Sequence, residues 1–318
     1  MLDLELLYHW TTTTVSASLD WPEGIEVYRA KIVQIAFQHP FLMHELFAMT
    51  ATHLAHLNTQ SPSHAIYKHA ADSHAATALT LFQPEIANLT LENCHACFAF
   101  SSVVWIHAWA AQELDRPSSL FFRPSSMRGR QSEIQWVKLQ RGSMVILASM
   151  WSNLENGPFQ ELFWWKDLDR NRLDPLPKEE EERFAALPNA WSSLPQKQKD
   201  ILNAALKETR RTISMLCFFP SPARLAMAIA WFAEISDAFI QMLTEKVPEA
   251  LLVVCHYCVA MKMVEGVWWM EGKPENLLGT VMDELGGGWE TWTKWPAGKV
   301  FGERGWEGFE RGGVDRVT

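Results

Sequence analysis

Apolar residues recur at three-and-four spacing through almost every stretch of this sequence, and none alternates apolar with polar residues under β-branched enrichment. That periodicity buries one stripe of a helix and cannot bury one face of a strand, so the expected fold is all-α. From Pro40 to Leu57 the stripe is Phe41, Leu42, Leu46, Phe47, Met49, Leu54 and Leu57, with Ala48, Ala51 and Ala55 allowing close packing. A second, Ala-rich helix runs from Ser63 to Phe82, with Pro84 read as its terminator. Asn93 is placed to cap a third, which continues to about Leu114, is apolar on every side and therefore belongs at the centre of a core. Gln131 to Leu154, Gln196 to Cys217, Ser221 to Leu243 and Pro248 to Met270 read as further long helices, with Ser221 and Pro222 supplying a cap and a first-turn proline. A shorter one, Pro274 to Leu285, stops at Gly286, Gly287 and Gly288.

The expectation is one large helical domain of about eight to eleven helices over residues 1–296. Nine of the 16 glycines follow Leu285, so residues 297–318 read as a loosely ordered tail, its start pinned by Trp289, Trp292 and Trp295. Two irregular stretches interrupt the pattern. Arg116 and Arg123 each open an Arg-Pro-Ser-Ser sequence around Leu120, Phe121 and Phe122, which reads as an exposed loop or connector. Lys166 to Pro195 holds Asp167, Asp169, Asp174, the Glu179 to Glu182 run and four prolines, the composition of a solvated linker. Neither separates two self-sufficient cores.

Charge and cysteine content narrow the function. The 318 residues carry 28 Lys plus Arg against 37 Asp plus Glu, a net charge of −9 that repels phosphate backbones and anionic lipid. No direct nucleic-acid contact and no membrane association are expected. Five cysteines do not make a disulfide scaffold, and the acidic N-terminus lacks a secretory n-region, so an intracellular, nuclear or cytoplasmic, setting is expected. The uncharged run from Asn93 to Gln112 raises the membrane question, but His95, Ser101, Ser102 and His107 within it favour a buried core helix.

The chemical motifs divide into weak signals and absent ones. Cys94 with Cys97 and Cys255 with Cys258 have the spacing of half zinc sites, yet 157 residues separate the pairs and both sit in apolar helices, where cysteine packs as a small hydrophobe. No metal and no cofactor are expected. His44, His53 and His56 share one helix without the Glu of a His-Glu-x-x-His site, so hydrogen bonding is their expected use. There is no phosphate-binding Gly-rich loop, no Gly-x-Ser-x-Gly elbow and no Asp-rich metal run on a helix.

Several segments are nonetheless distinctive. Leu4-Glu-Leu-Leu-Tyr-His-Trp-Thr-Thr-Thr-Thr14, Ala36-Phe-Gln-His-Pro-Phe-Leu-Met-His44 and Ala48-Met-Thr-Ala-Thr-His-Leu-Ala55 are followed far downstream by Trp268-Trp-Met-Glu-Gly272, Leu277-Leu278 and Trp289-Glu-Thr-Trp-Thr-Lys-Trp-Pro296. In this order and spacing, across roughly Leu2 to Pro296, they resemble the C-terminal regulatory domain of fungal zinc-cluster transcription factors of the sterol uptake control type. The resemblance implies an all-helical, homodimeric domain that holds a lipid in an apolar pocket and couples its occupancy to gene activation. It also implies an N-terminal six-cysteine DNA-binding cluster with a basic linker, which these residues do not contain.

With 16 Trp, 17 Phe and 13 Met, the interior suits a large core or an aromatic-walled cavity. A hydrophobic guest, a sterol or terpenoid, is expected between the long helices. The candidate walls are Trp105 and Trp109, then Met144, Leu147 and Trp151, then Met215 and Phe218, then Met227 and Trp231, and finally Tyr257 and Met261, which lie on the most apolar helices. Burying such a guest would supply several kcal/mol at ~25 cal/mol per Å². Two alternatives stand beside this reading. One is a metal-independent cyclase or isomerase on the same scaffold, with His107 and His256 as acid/base candidates because apolar surroundings shift imidazole titration. The other is a partner subunit that dimerises with an intact transcription factor.

Overall fold

The computed structural model describes residues 1–112, 135–167, 175–218 and 224–302, and among these every regular element is helical. They group into two compact units.

The first unit comprises residues 1–112 and 135–169 with Val267–Trp269. It opens with α1 (Leu2–His9), a π-helical turn (Trp10–Thr14) and α2 (Val15–Ser18). Next come α3 (Pro22–Glu26), a second π-helical turn (Val27–Lys31) and α4 (Ile32–Ala36). The wide turns have local causes. Thr11 and Thr12 hydroxyls donate to the Tyr8 carbonyl at 3.0 and 2.8 Å, competing with the backbone ladder. The Trp10 indole N–H donates to the Tyr28 carbonyl at 3.0 Å and ties the second wide turn to the first.

The helices α5 (Pro40–Leu57) and α6 (Ser63–Ala87) form a hairpin through buried Ala51, Ala55, Ala70, Ala71 and Ala78. α6 runs through Pro84 rather than stopping before it. Only one turn follows the proline, so a single backbone hydrogen bond is at stake. Phe82 stacks on Phe100 at 4.1 Å, and Asn93 Nδ2 donates to the Glu85 carboxylate at 2.9 Å, so both sides of the proline are anchored. Asn93 occupies the cap position of α7 (Cys94–Ala110), but its side chain turns back to Glu85 and Thr90 instead of capping. α7 is buried on nearly every side, as its uniform apolarity requires, and packs against α4, α5, α6 and α8 (Gln135–Ser149). The long helix read to Leu154 breaks at Met150 and resumes as α9 (Trp151–Glu155).

The second unit takes the described residues among 170–266 and 270–318. The segment from Lys166 to Pro195, expected as a solvated linker, is largely ordered as α10 (Lys178–Ala186) and a 3-10 turn (Leu187–Trp191). Glu179, Glu180 and Glu181 fill the first turn of α10, where the helix dipole favours carboxylates, while Phe184, Leu187 and Trp191 are buried beneath it. Glu181 accepts a forked pair of bonds from Arg210 of α11 (Gln196–Phe218), which holds its carboxyl below the usual range.

The helix expected from Ser221 to Leu243 is two: α12 (Arg224–Glu234) and α13 (Asp237–Thr244), bent by 85°. Ser236 starts the second by accepting the Phe239 N–H at 3.1 Å. α14 (Pro248–Lys262) is the buried centre of this unit and ends before Met270, with Lys262 paired to Glu265 and to Glu275 of α15 (Lys273–Leu285). α16 (Glu290–Phe301) extends past Pro296, where the tail was expected to begin. The Arg116 and Arg123 sequences, the Ser221-Pro222 cap and residues 303–318 lie outside the described residues.

Candidate functional site

In the first unit, the two wide turns and three helices enclose a small apolar cavity of about 10 Å³. Trp10, Val15, Ser18 and Leu19 form one side; Tyr28, Met49, Val103 and Ile106 form the other. That volume is about one water, so a larger guest requires its walls to move. The polar groups around it are already engaged. Ser18 Oγ donates to the Thr14 carbonyl at 2.7 Å and accepts from the Trp268 indole at 2.8 Å. The Trp269 indole donates to the Ser18 carbonyl at 3.0 Å, and Tyr28 Oη donates to Ser102 Oγ at 2.9 Å. Burial pushes the Tyr28 phenol up, so it acts there as a neutral donor. A separate surface cleft of about 290 Å³ is lined mainly by Gln34, Gln38, His39, Glu92 and His95, a polar rather than lipid-like surface.

The residues expected to wall a ligand pocket are divided between the units. In the first, Trp105 lies edge-on to Trp269 at 5.8 Å, and Trp109 and Leu147 are buried. Trp151 meets Phe163 edge-on at 5.2 Å, whereas Met144 is 38% exposed. In the second, Trp231 stacks on Tyr257 at 4.0 Å, with Phe232 and Phe239 edge-on to the indole. The Trp231 N–H donates to Thr209 Oγ1 at 2.9 Å, and Tyr257 Oη donates to the Ala228 carbonyl at 2.8 Å. Met227 and Met261 are buried in this unit, Met215 is half-buried, and Phe218 is 36% exposed. The residues that line the first unit's cavity are not among the expected walls. Trp10 and Tyr28 lie in short helices whose wide turns leave no periodic signal, and Met49 and Ile106 read as ordinary stripe positions.

The histidines of α5 and α7 are wired across elements. His107 Nδ1 lies 2.9 Å from Glu45 Oε1, and its Nε2 lies 2.9 Å from Thr52 Oγ1. This carboxylate–imidazole–hydroxyl series is the connectivity of activated nucleophiles. Thr52 lies mid-helix, however, with its hydroxyl also bonded to the Ala48 carbonyl, and lines neither cavity described above. His53 Nδ1 lies 3.0 Å from Thr14 Oγ1, and its ring stacks on Trp268 at 4.7 Å. Burial, then the neighbouring His9 and His56, lower its pKa to about 4. His44 and His74 share a hydrogen bond between their Nδ1 atoms at 2.8 Å. In the second unit His256 bonds the Leu252 carbonyl of its own helix at 2.9 Å and stacks on Trp295, and burial lowers it to about 4.

The cysteine pairs are interior packing groups. Cys94, Cys97, Cys255 and Cys258 are free and buried, and burial pushes the Cys97 and Cys255 thiols up to about 12. Among the described residues no three His, Cys, Asp or Glu side chains gather as metal ligands. Nor is any single described helix long and apolar enough to cross a membrane.

No family model matches the sequence. Comparison with known proteins finds a Zn(2)-C6 fungal-type transcription factor of Gibberella zeae, 19% identical over 304 residues, which are 93% of this chain and 61% of that protein. Sterol uptake control protein 2 of Candida albicans is 28% identical over 162 residues, 50% of this chain and 20% of that protein. Its namesake in Saccharomyces cerevisiae is 25% identical over 166 residues, 51% of this chain and 17% of that protein. The homologues of this chain are therefore a Zn(2)-C6 fungal-type transcription factor and two sterol uptake control proteins, and the chain spans less than two thirds of the length of each.

Proposed function

We propose that this chain, as a homologue of fungal zinc-cluster transcription factors, is a transcription-regulatory region that senses a hydrophobic small molecule of sterol or terpenoid type. The observation that carries this reading is the 304-residue match, which takes in nearly the whole chain. DNA contact is assigned to a partner or to sequence outside these residues, because five cysteines cannot build a six-cysteine cluster and the charge of −9 opposes phosphate. Such a region works in the nucleus, as a homodimer. The Trp10–Tyr28 cavity is the first place for a guest: its walls are apolar, and once a wall moves the Tyr28 hydroxyl can exchange its bond to Ser102 for one to a sterol alcohol. A guest of that size needs a cavity of roughly 300 Å³ or more, so binding must displace a wall, and that movement is the signal.

The test is a fusion to a heterologous DNA-binding module driving a reporter in a yeast whose sterol content is controlled. Sterol depletion is expected to change output severalfold. Output indifferent to sterol and terpenoid supply, from a fusion that is expressed and nuclear, would overturn the sensing role.

A further inference from the structure

We propose that residues 2–14 form a hinged cover over the cavity of the first unit, latched to α5 by contacts of His53 that release in acid. The cover is built from α1 and the π-helical turn, and it brings Trp10 to the cavity wall. Its far end is clamped, because Ser18 is gripped from both Trp268 and Trp269. Leu6 is the buried plug of α1, seated against Phe47, Ala51 and Leu54. Leu2 and Leu7 flank it, half-buried against the same cluster, and the other ties of α1 and its turn to α5 and α6 are polar. Tyr67 Oη of α6 donates to Glu5 Oε1 at 2.7 Å, and His74 of α6 stands 3.7 Å from Asp3. Thr14 is joined to His53. A short terminal segment held by one narrow apolar strip, the Trp10–Tyr28 bond and exchangeable polar contacts opens more readily than the long helices beneath it.

The latch responds to protons in one direction. Around His53 stand His9 from α1, His56 from α5 itself and the Trp268 indole, while Glu5 of α1 acts on His9. The His44–His74 pair joins α5 to α6 and not to the cover, and Asp3 of α1 faces His74 as a carboxylate that favours its protonated form. His64 is taken by the Ala55 carbonyl, and α7's His107 by Glu45 and Thr52. His53 and His9 are both held below the ordinary imidazole value by burial first, so each is neutral when the cover is closed. In the open cover they regain ordinary basicity. Closure is therefore fully stabilised above the ordinary value and lost as pH falls from there toward about 4.

The test is hydrogen exchange on the full chain at neutral pH and at a pH of about 5, corrected for the intrinsic pH dependence of exchange. Amides of residues 2–14 are expected to open more often than those of α5 at neutral pH, and the gap to widen on the order of tenfold in acid. In His53→Gln the widening should largely disappear; His9→Gln, which removes the neighbouring charge and not the buried ring, should reduce it if His53→Gln does not fold. Glu5→Gln with Tyr67→Phe should loosen residues 2–14 at neutral pH while leaving α5 protected. Residues 2–14 opening only together with α5 at both pH values, or an acid response unchanged in both histidine variants, would overturn the proposal.

Discussion

Each unit has one helix buried on almost all sides, α7 in the first and α14 in the second, yet their polar groups are satisfied in opposite ways. The inner imidazole of α7, His107, reaches across to Glu45 and Thr52 of α5. The inner imidazole of α14, His256, turns to the Leu252 carbonyl one turn back on its own helix. Around α7, besides the Phe82–Phe100 stack, lie a small cavity and a row of histidines shared between elements; around α14 lie the face-to-face pair of Trp231 and Tyr257 and edge-on phenyl rings. A seam of polar contacts between helices can be re-made in a second arrangement, whereas a close-packed aromatic stack resists any displacement. The first unit is thus the place for a moving part and the second for a rigid frame.

The sharpest way to break this contrast is to remove the stack. Trp231→Ala gives up the Tyr257 face, two phenyl edges and the bond to Thr209, and is expected to lower unfolding free energy by roughly 3–5 kcal/mol in urea titration. A loss under 1 kcal/mol would mean that the second unit is not rigid at this point. Next comes the seam. His107→Ala leaves Glu45 buried without its partner, at a cost of about 3 kcal/mol, but Glu45→Met combined with His107→Leu should recover most of it. A double variant as weak as the single would show that the pair holds α5 to α7 in a way apolar packing cannot replace.

Acid should separate the residues by mechanism. His256 is neutral in the folded state and is lowered to about 4, so its contribution is complete above the ordinary imidazole value and declines as pH falls. At pH 5 it amounts to about 2 kcal/mol lost, and His256→Phe should flatten that part of the stability curve between pH 7 and 5. An unchanged curve would mean that His256 is not what makes the fold acid-sensitive. The smallest effect is expected at the half-buried Arg210–Glu181 fork, where Arg210→Ala should cost about 1 kcal/mol, read from the same titrations.

Much of this architecture was legible in the sequence. The stripe from Phe41 to Leu54, the apolar run after Asn93 and the start of the Pro248 helix appear where the periodicity placed them, because burial and spacing state the same fact twice, whereas Leu57 is exposed and the Pro248 helix stops at Lys262. What was not legible lay where a local rule met a stronger tertiary one. Pro84 failed to stop α6 because Phe82 and Glu85 are both anchored, and the Glu179 to Glu182 run read as solvated although Phe184 and Trp191 beside it are buried. The bend at Ser236 had a capping serine in plain view, but the apolar pattern runs on through it. For the site, the choice of large residues on apolar helices found dense aromatic clusters. The cavity sits beside two π-helical turns, whose irregular spacing hides Trp10 and Tyr28 from any periodic reading.

The most direct measurement is a titration of the purified chain with a sterol and with a terpenoid, following tryptophan emission, in the wild type and in Tyr28→Phe and Met49→Trp variants. A saturable change is expected for one guest class, weakened in Tyr28→Phe and abolished when Met49→Trp fills the cavity while the fold stays intact. No saturable response in the wild type, or one that Met49→Trp leaves untouched, would contradict it.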